Sequence, residues 1–318
     1  MPELALLEPN AEIGDAIRRL SKALRQAGIE TAALDARLLA SHVCALTPEE
    51  TIARHRFALS PEMTARMNEA AARRIAGEPV SRIVGQREFW GLPFSLSPYT
   101  LDPRPETELL VEAVLGHVDE EGLVGAPLRI LDLGTGTGCL LGSILSELPL
   151  SSGVGVDLSE DALWTARENL HRLGLLGRAA FLCGNWASAI GDASFDIIVC
   201  NPPYIGSSEI AALEIEARDH DPRLALEGGS DGLEAFRAIL AQAFKVIRDE
   251  GFLIFETGSL QARTVCEMMI AAAPSSCSFE ARILTDLTGI ERAVAGVRQS
   301  VRYGPRPKKK IGNPALSG

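Results

Sequence analysis

Residues 201–204, Asn201-Pro202-Pro203-Tyr204, follow the apolar run Phe195–Cys200 and carry groups suited to holding an amino group. The prolines have no backbone donor and fix φ at about −65°, so the chain should leave a buried strand stiff and extended, with its carbonyls free to accept. The amide oxygen of Asn201 and a backbone carbonyl can together accept both hydrogens of an NH2 group, while Tyr204 packs against the plane that carries it. A nitrogen fixed in that way could receive a methyl group in line. The plain alternative is a loop that ends a strand, for which Asn-Pro is common.

A second cluster lies in residues 130–145, ILDLGTGTGCLLGSIL, where a strand runs into a glycine-rich turn that opens a helix. Gly134, Gly136 and Gly138, with Thr135 and Thr137 between them, let the backbone approach a ligand closely, and the helix start offers unpaired N–H groups. The dinucleotide fingerprint requires a glycine where Cys139 stands, which counts against NAD and an oxidoreductase. Asp157 closes the next strand, where a carboxylate can accept from both hydroxyls of a ribose, and Ser159 is placed to cap the following helix. Asn185 and Trp186 come just after a third strand and offer a hydrogen-bonding edge and a flat apolar face to an adenine. Together these residues imply a nucleoside-type cofactor.

These residues meet only if the intervening elements bring them to one edge. From Leu128 onward, apolar strands alternate with helical patterns, which implies βα units and a parallel sheet covered on both faces. The fourth strand would then end beside the first, at the switch point where ligands of open α/β sheets bind, so that Asn201 and the proline carbonyls face the cofactor. Two last runs, EARILTDL and ERAVAGVRQ, are too close for a crossover helix and should pair antiparallel. The expected architecture is α/β: a seven-stranded, mostly parallel Rossmann-like sheet with an antiparallel terminal hairpin, preceded by a small all-helical unit.

In that unit Ile13, Ile17, Leu20 and Leu24 recur at helical spacing before Gly28, Thr47-Pro48 with Glu50 forms a capping box, and Ser60-Pro61 repeats the cap-then-proline pattern. About four short helices are expected before Gly77. Residues 87–97, REFWGLPFSLS, suggest a strand pair turning at Gly91-Leu92-Pro93. The division is residues 1–80 helical, 81–103 a linker with a β-hairpin, 104–300 the α/β domain, and 301–318 a basic tail expected to be disordered.

Composition narrows the partners. The 318-residue chain carries a net charge of −11, against broad attraction to nucleic acid. No apolar run approaches the roughly 20 residues that span a bilayer, and the start lacks a signal-peptide pattern, so a cytoplasmic protein without membrane contact is expected. The six cysteines show no C-x-x-C pair and read as small buried thiols; the five histidines lack metal-ligand spacing, so no metal is expected. A monomer is the default expectation.

DLGTGTG together with NPPY resembles a class I S-adenosylmethionine-dependent methyltransferase acting on a planar nitrogen. GEPVSRIVGQREFWGLPF and PRPETELLVE narrow the resemblance to the release-factor glutamine methyltransferases, the PrmC/HemK family, from about residue 77 to 298. The resemblance implies N5 methylation of the glutamine in the Gly-Gly-Gln loop of peptide chain release factors. It also implies that residues 134–138, Asp157, Trp186 and Asn201 hold S-adenosylmethionine. Asn201, Pro202, Pro203 and Tyr204 would hold the glutamine and perform the catalytic step, and the helical unit would dock the release factor. Arg104 and Glu106 would border the pocket or form a salt-bridged loop. Three positions depart from the family pattern: Asp102 where an apolar residue is expected, Asn185 for an aspartate, and Thr257 for an isoleucine. A nucleic-acid adenine N6-methyltransferase is the competing reading, because an exocyclic amine presents the same two hydrogens. A noncatalytic module that only senses the cofactor is a further alternative, which the complete NPPY segment disfavours.

Overall fold

The computed structural model describes residues 6–192 and 195–300; the basic tail expected at 301–318 lies outside them. The chain begins with α1 (Ile13–Gln26), in which Ile13, Ala16, Leu20 and Leu24 form one buried stripe at helical spacing. Gly28 (φ 84°) follows it, in a conformation that costs glycine little. Then come α2 (Ala32–Cys44), α3 (Pro48–Ala53) and α4 (Pro61–Ile75). The Thr47 hydroxyl accepts from the Glu50 N–H at 3.2 Å and the Glu50 carboxylate accepts from the Thr47 N–H at 2.9 Å, closing the capping box. The Ser60 hydroxyl caps α4 by accepting from the Met63 N–H. Leu20, Leu24, Leu39, Leu59 and Met67 share a core separate from those of the sheet.

A short α5 (Val80–Val84) leads into the hairpin β1 (Gln86–Phe89) and β2 (Leu92–Ser95). The turn falls at Trp90 (φ 55°) and Gly91 (φ 67°), one residue earlier than the Gly91-Leu92-Pro93 expected. Two consecutive left-handed residues match the twist of a two-residue hairpin, and that preference decides the register. Pro93 therefore lies inside β2 opposite Glu88, tolerated because each strand of a two-stranded ribbon keeps one free edge.

The remaining elements are α6 (Glu108–Glu120), β3 (Arg129–Leu133), α7 (Cys139–Glu147), β4 (Ser152–Asp157), α8 (Glu160–Arg172), β5 (Ala179–Cys183) and β6 (Phe195–Cys200). They continue with α9 (Ile215–His220), α10 (Arg223–Leu226), α11 (Glu234–Val246), β7 (Ile247–Glu256), α12 (Ala262–Ala272), β8 (Cys277–Thr285) and β9 (Glu291–Ser300). Seven strands form one sheet in the order β5-β4-β3-β6-β7-β9-β8. The first five are mutually parallel, and β9 runs antiparallel to both β7 and β8. Every residue of β6 is buried: Ile198 and Cys200 join the core on one face with Phe236 and Phe255, while Ile197 and Val199 join the other with Leu141 and Phe252. This two-sided burial is why the strand reads as an unbroken apolar run.

The order turns outward on both sides of β3 and β6, so their carboxyl ends form the switch point. The helical unit meets the sheet domain where Arg74 of α4 bridges Asp35 of α2 (2.7 Å) and Glu216 of α9 (2.8 Å). Among the described residues no helix is long and apolar enough to cross a membrane. Of the cysteines expected to be buried, Cys44, Cys200 and Cys277 are, Cys139 and Cys266 are half-buried, and Cys183 is exposed, because it closes β5 at the sheet's edge.

Candidate active site

The glycine turn is sewn to β4 and to its own aspartate. The Gly134 and Thr135 N–H groups donate to the Val156 carbonyl at 2.8 and 2.9 Å. The Gly136 N–H donates to one Asp157 carboxylate oxygen at 2.9 Å, and the Ser159 N–H donates to the other at 3.0 Å. Burial raises the Asp157 pKa, opposed by these N–H donors. Beneath the turn, Asp132 is fully buried and accepts the Thr135 hydroxyl at 2.6 Å; desolvation pushes it up to about 7. Trp186 sits in the left-handed region (φ 53°), with its ring 3.4 Å from where a Cβ on Gly134 would stand. That distance is ordinary contact; what favours glycine at 134 is its left-handed backbone (φ 71°), which strains any other side chain.

At the neighbouring strand ends a chain of hydrogen bonds runs through three elements. Asn201, just after β6, donates its Nδ2 to the Thr107 hydroxyl at 3.3 Å. Thr107, ahead of α6, donates that hydroxyl to Glu256 Oε2 at 2.5 Å, and Tyr204 donates its phenol to Glu256 Oε1 at 3.3 Å. Glu256 ends β7 with its carboxylate buried, and desolvation pushes its pKa up to about 7; burial also raises that of Tyr204. The Tyr204 carbonyl accepts from the Gln261 amide at 2.9 Å, and the following residues are laced to α10 by Ile205 N–H to the Leu226 carbonyl (3.0 Å) and Gly228 N–H to the Ile205 carbonyl (2.8 Å).

Between these two halves lies a cavity of about 390 Å³. Gly134, Thr135, Gly136, Thr137 and Asp157 line one part of it, Asn185 and Trp186 another, and Asn201 and Pro203 a third. Gly138, Pro202 and Tyr204 do not line it. A Cβ on Gly138 would lie 2.8 Å from Leu170 and 3.1 Å from Ala166, so that glycine (φ 77°) lets α8 approach. Pro202 is buried, and the Tyr204 hydroxyl turns to Glu256. Arg104 and Glu106 stand off the wall as well: Arg104 pairs with Asp221 at 2.6 Å and Glu106 lies 4.0 Å from Arg292. Asp102, where an apolar residue is expected, is buried in a polar knot, accepting from the Ser81 hydroxyl at 2.5 Å beside Arg87 and Arg104. Thr257 is fully buried, its hydroxyl without a partner.

The cavity suits a nucleoside cofactor on three counts. Its volume falls in the range of roughly 300–1,000 Å³ usual for such ligands. A turn with glycine at every second position forms one wall, and a carboxylate and a flat indole stand beside it.

The PrmC N-terminal domain model matches residues 15–85, and a methyltransferase domain model matches residues 126–294. The release factor glutamine methyltransferase of Bradyrhizobium diazoefficiens is 46% identical over 89% of this chain and 94% of its own length. That of Rhodospirillum rubrum is 42% identical over 93% of this chain and 87% of its own. This chain belongs to the release factor glutamine methyltransferase family. With that family it is an S-adenosylmethionine-dependent methyltransferase. A solved structure, the hMettl16 catalytic domain in complex with MAT2A 3′UTR hairpin 6, shares the fold at 15% identity over 71% of this chain and 81% of that one, with a TM-score of 0.52.

Several residues around this cavity escape sequence reasoning. Glu256 and Thr107 complete the Asn201 network, Asp221 collects Arg82 and Arg104, and Asn169 of α8 bonds both Ser95 of the hairpin and the Thr137 carbonyl of the glycine turn. Glu256 carried one usable signal: it is a carboxylate closing an apolar strand, as Asp157 is. Thr107 lies inside the PRPETE motif, next to Glu106.

Proposed function

We propose that this enzyme methylates the side-chain amide nitrogen, N5, of the glutamine in the Gly-Gly-Gln motif of peptide chain release factors. The observation that carries this reading is Asn201, held with its NH2 against Thr107 and its amide lining the same cavity as Pro203, Asp157 and Trp186. Gly134, Thr135, Gly136, Thr137 and Gly138 form the turn assigned to S-adenosylmethionine, with Asp157 for its ribose and Trp186 for its adenine; Asn201 adjoins it. The bound cofactor supplies a methyl group on a sulfonium, an electrophile that needs no metal.

The protein's own work is alignment. A glutamine nitrogen is a weak nucleophile because its lone pair is delocalised into the carbonyl. The Asn201 amide oxygen and the Pro203 carbonyl accept its two N–H groups, favour charge developing on them, and fix the nitrogen's direction. Pro202 stiffens the segment, and Tyr204, its phenol held by Glu256 behind the cavity wall, anchors the end of it. The nitrogen gains the methyl and sheds one proton after transfer to an acceptor or to water. Residues 1–80 are assigned to docking the release factor, supported by the exposed apolar Leu34, Leu38, Ile52 and Phe57 of that unit. Unpaired cysteines throughout the described fold fit work in the reducing cytoplasm.

The test incubates the protein with methyl-labelled S-adenosylmethionine and an unmethylated release factor, and locates the label by peptide mass spectrometry. A single methyl on the Gly-Gly-Gln glutamine is expected. An unlabelled factor in the presence of a cofactor-binding protein removes the glutamine assignment and makes adenine in nucleic acid the next substrate to try.

A further inference from the structure

We infer that Thr107 and Glu256 are positioning residues that set the polarity of Asn201, turning its carbonyl oxygen rather than its NH2 toward the substrate; this rests on the glutamine reading above. The argument is a count of hydrogens. An ionised carboxylate only accepts, and Glu256 receives two hydroxyls, from Thr107 at 2.5 Å and from Tyr204 at 3.3 Å. A threonine hydroxyl has one hydrogen. Once it points at Glu256, the Thr107 oxygen can only accept from its other neighbour, which is Asn201 Nδ2 at 3.3 Å. The two ends of an amide are nearly the same size, so shape alone cannot choose between them. The relay makes the choice: with NH2 held by Thr107, Oδ1 is left for the cavity that Asn201 lines. A substrate NH2 needs an acceptor there, and a flipped Asn201 would set donor against donor.

The relay is assembled only by tertiary structure, from the segment before α6, the loop after β6 and the end of β7. It also has an off state. A protonated Glu256 can donate to the Thr107 oxygen, which frees the threonine hydrogen to point at Asn201 and favours the flipped amide. Desolvation, with Glu106 adding to it and Arg292, Thr107 and Tyr204 opposing it, brings this protonation to about pH 7. The thiols Cys139 and Cys200 also feel Glu256 and are raised by burial, so they stay neutral. Rate should therefore fall as pH drops below about 7.

The experiment compares wild type with Thr107→Val, Thr107→Ser and Glu256→Gln, measuring release-factor methylation at saturating cofactor from pH 5.5 to 8.5 and cofactor affinity by calorimetry. Thr107→Val should lose about tenfold in kcat, the size of one oriented hydrogen bond, with cofactor affinity unchanged; Thr107→Ser should regain most of it. Glu256→Gln should flatten the acid limb. In parallel, the Asn201 side-chain NH2 resonance, assigned by its loss in Asn201→Asp, should shift with pH in wild type and stop doing so in Glu256→Gln and Thr107→Val. Equal rates for valine and serine at 107, or an NH2 resonance that titrates identically in all variants, overturns the relay. If wild type leaves the release factor unlabelled, the glutamine reading fails instead, and the resonance still decides the relay.

Discussion

Substituting Gly228 by alanine should cripple turnover while sparing the cofactor end of the site. An added Cβ would lie 2.6 Å from the Pro203 carbonyl oxygen and 2.9 Å from both the Gly232 oxygen and the Tyr204 Cα. The first is about 0.8 Å short of the 3.4 Å at which ordinary contact begins. All three neighbours are backbone atoms, and the Gly228 N–H is already tied to the Ile205 carbonyl at 2.8 Å, so the methyl cannot be relieved by rotating a side chain. The Pro203 carbonyl must move, and it is one of the two acceptors assigned to the substrate amide. Overpacking of this kind costs about 1–3 kcal/mol of stability. A displacement approaching 1 Å at an aligning group costs on the order of 10²-fold in rate, so a loss of roughly 10- to 100-fold in kcat is expected. Gly116→Ala is the control: nothing stands within 4 Å of its Cβ inside α6, and it should stabilise the helix by about 0.5–1 kcal/mol. Methylation kinetics, cofactor calorimetry and thermal melts on both variants decide the matter. A Gly228→Ala enzyme with kcat within about twofold of wild type and an unchanged melting temperature refutes the claim that this carbonyl is held from behind.

Asp157→Ala removes the carboxylate that braces Gly136 and faces the cavity, and should weaken cofactor binding by roughly 1.5–3 kcal/mol; an unaltered calorimetric affinity would count against its role. Asp221→Asn uncouples a buried carboxylate from Arg82 and Arg104, each at 2.6 Å, and should cost about 3–5 kcal/mol in urea melts; a loss below about 1 kcal/mol would show that the two arginines find other partners. Glu256 and Asp132 are both pushed up to about 7 by burial, so the folded chain binds their protons more tightly than the unfolded chain does. Their contribution to stability is therefore full below the unfolded values near 4 and declines as pH rises to about 7, by about 1.4 kcal/mol per unit for each group at most. Melting temperature should fall across that window, less steeply in Glu256→Gln; parallel slopes in the two proteins would refute the assignment of Glu256.

Much of the architecture was legible because local rules and burial agree. The stripe from Ile13 to Leu24, the Thr47 box and the unbroken apolar β6 each encode their element through side chains that have one sensible place to go. The placement of the glycine turn and Asp157 was legible for a related reason, since a strand, a glycine turn and the acidic end of the next strand recur at fixed spacing and meet here through the Gly136 N–H and the Asp157 carboxylate. Roles set by distant neighbours were less visible. The hairpin turn shifted to Trp90-Gly91 because strand twist outweighed the proline signal, and Gly138 faces α8 because Leu170 and Ala166 occupy the space a side chain would need.

By itself, then, the sequence determined the first four helices, the alternation of strands and helices from Leu128 with the fourth strand beside the first, and the residues that gather at the carboxyl ends of β3, β4 and β6. Only the tertiary structure decided which way Asn201 points and what holds it. Thr107 and Glu256 are 149 residues apart, and hydrogen-bond direction depends on which donors and acceptors meet in space and how deeply they are buried, neither of which local spacing records.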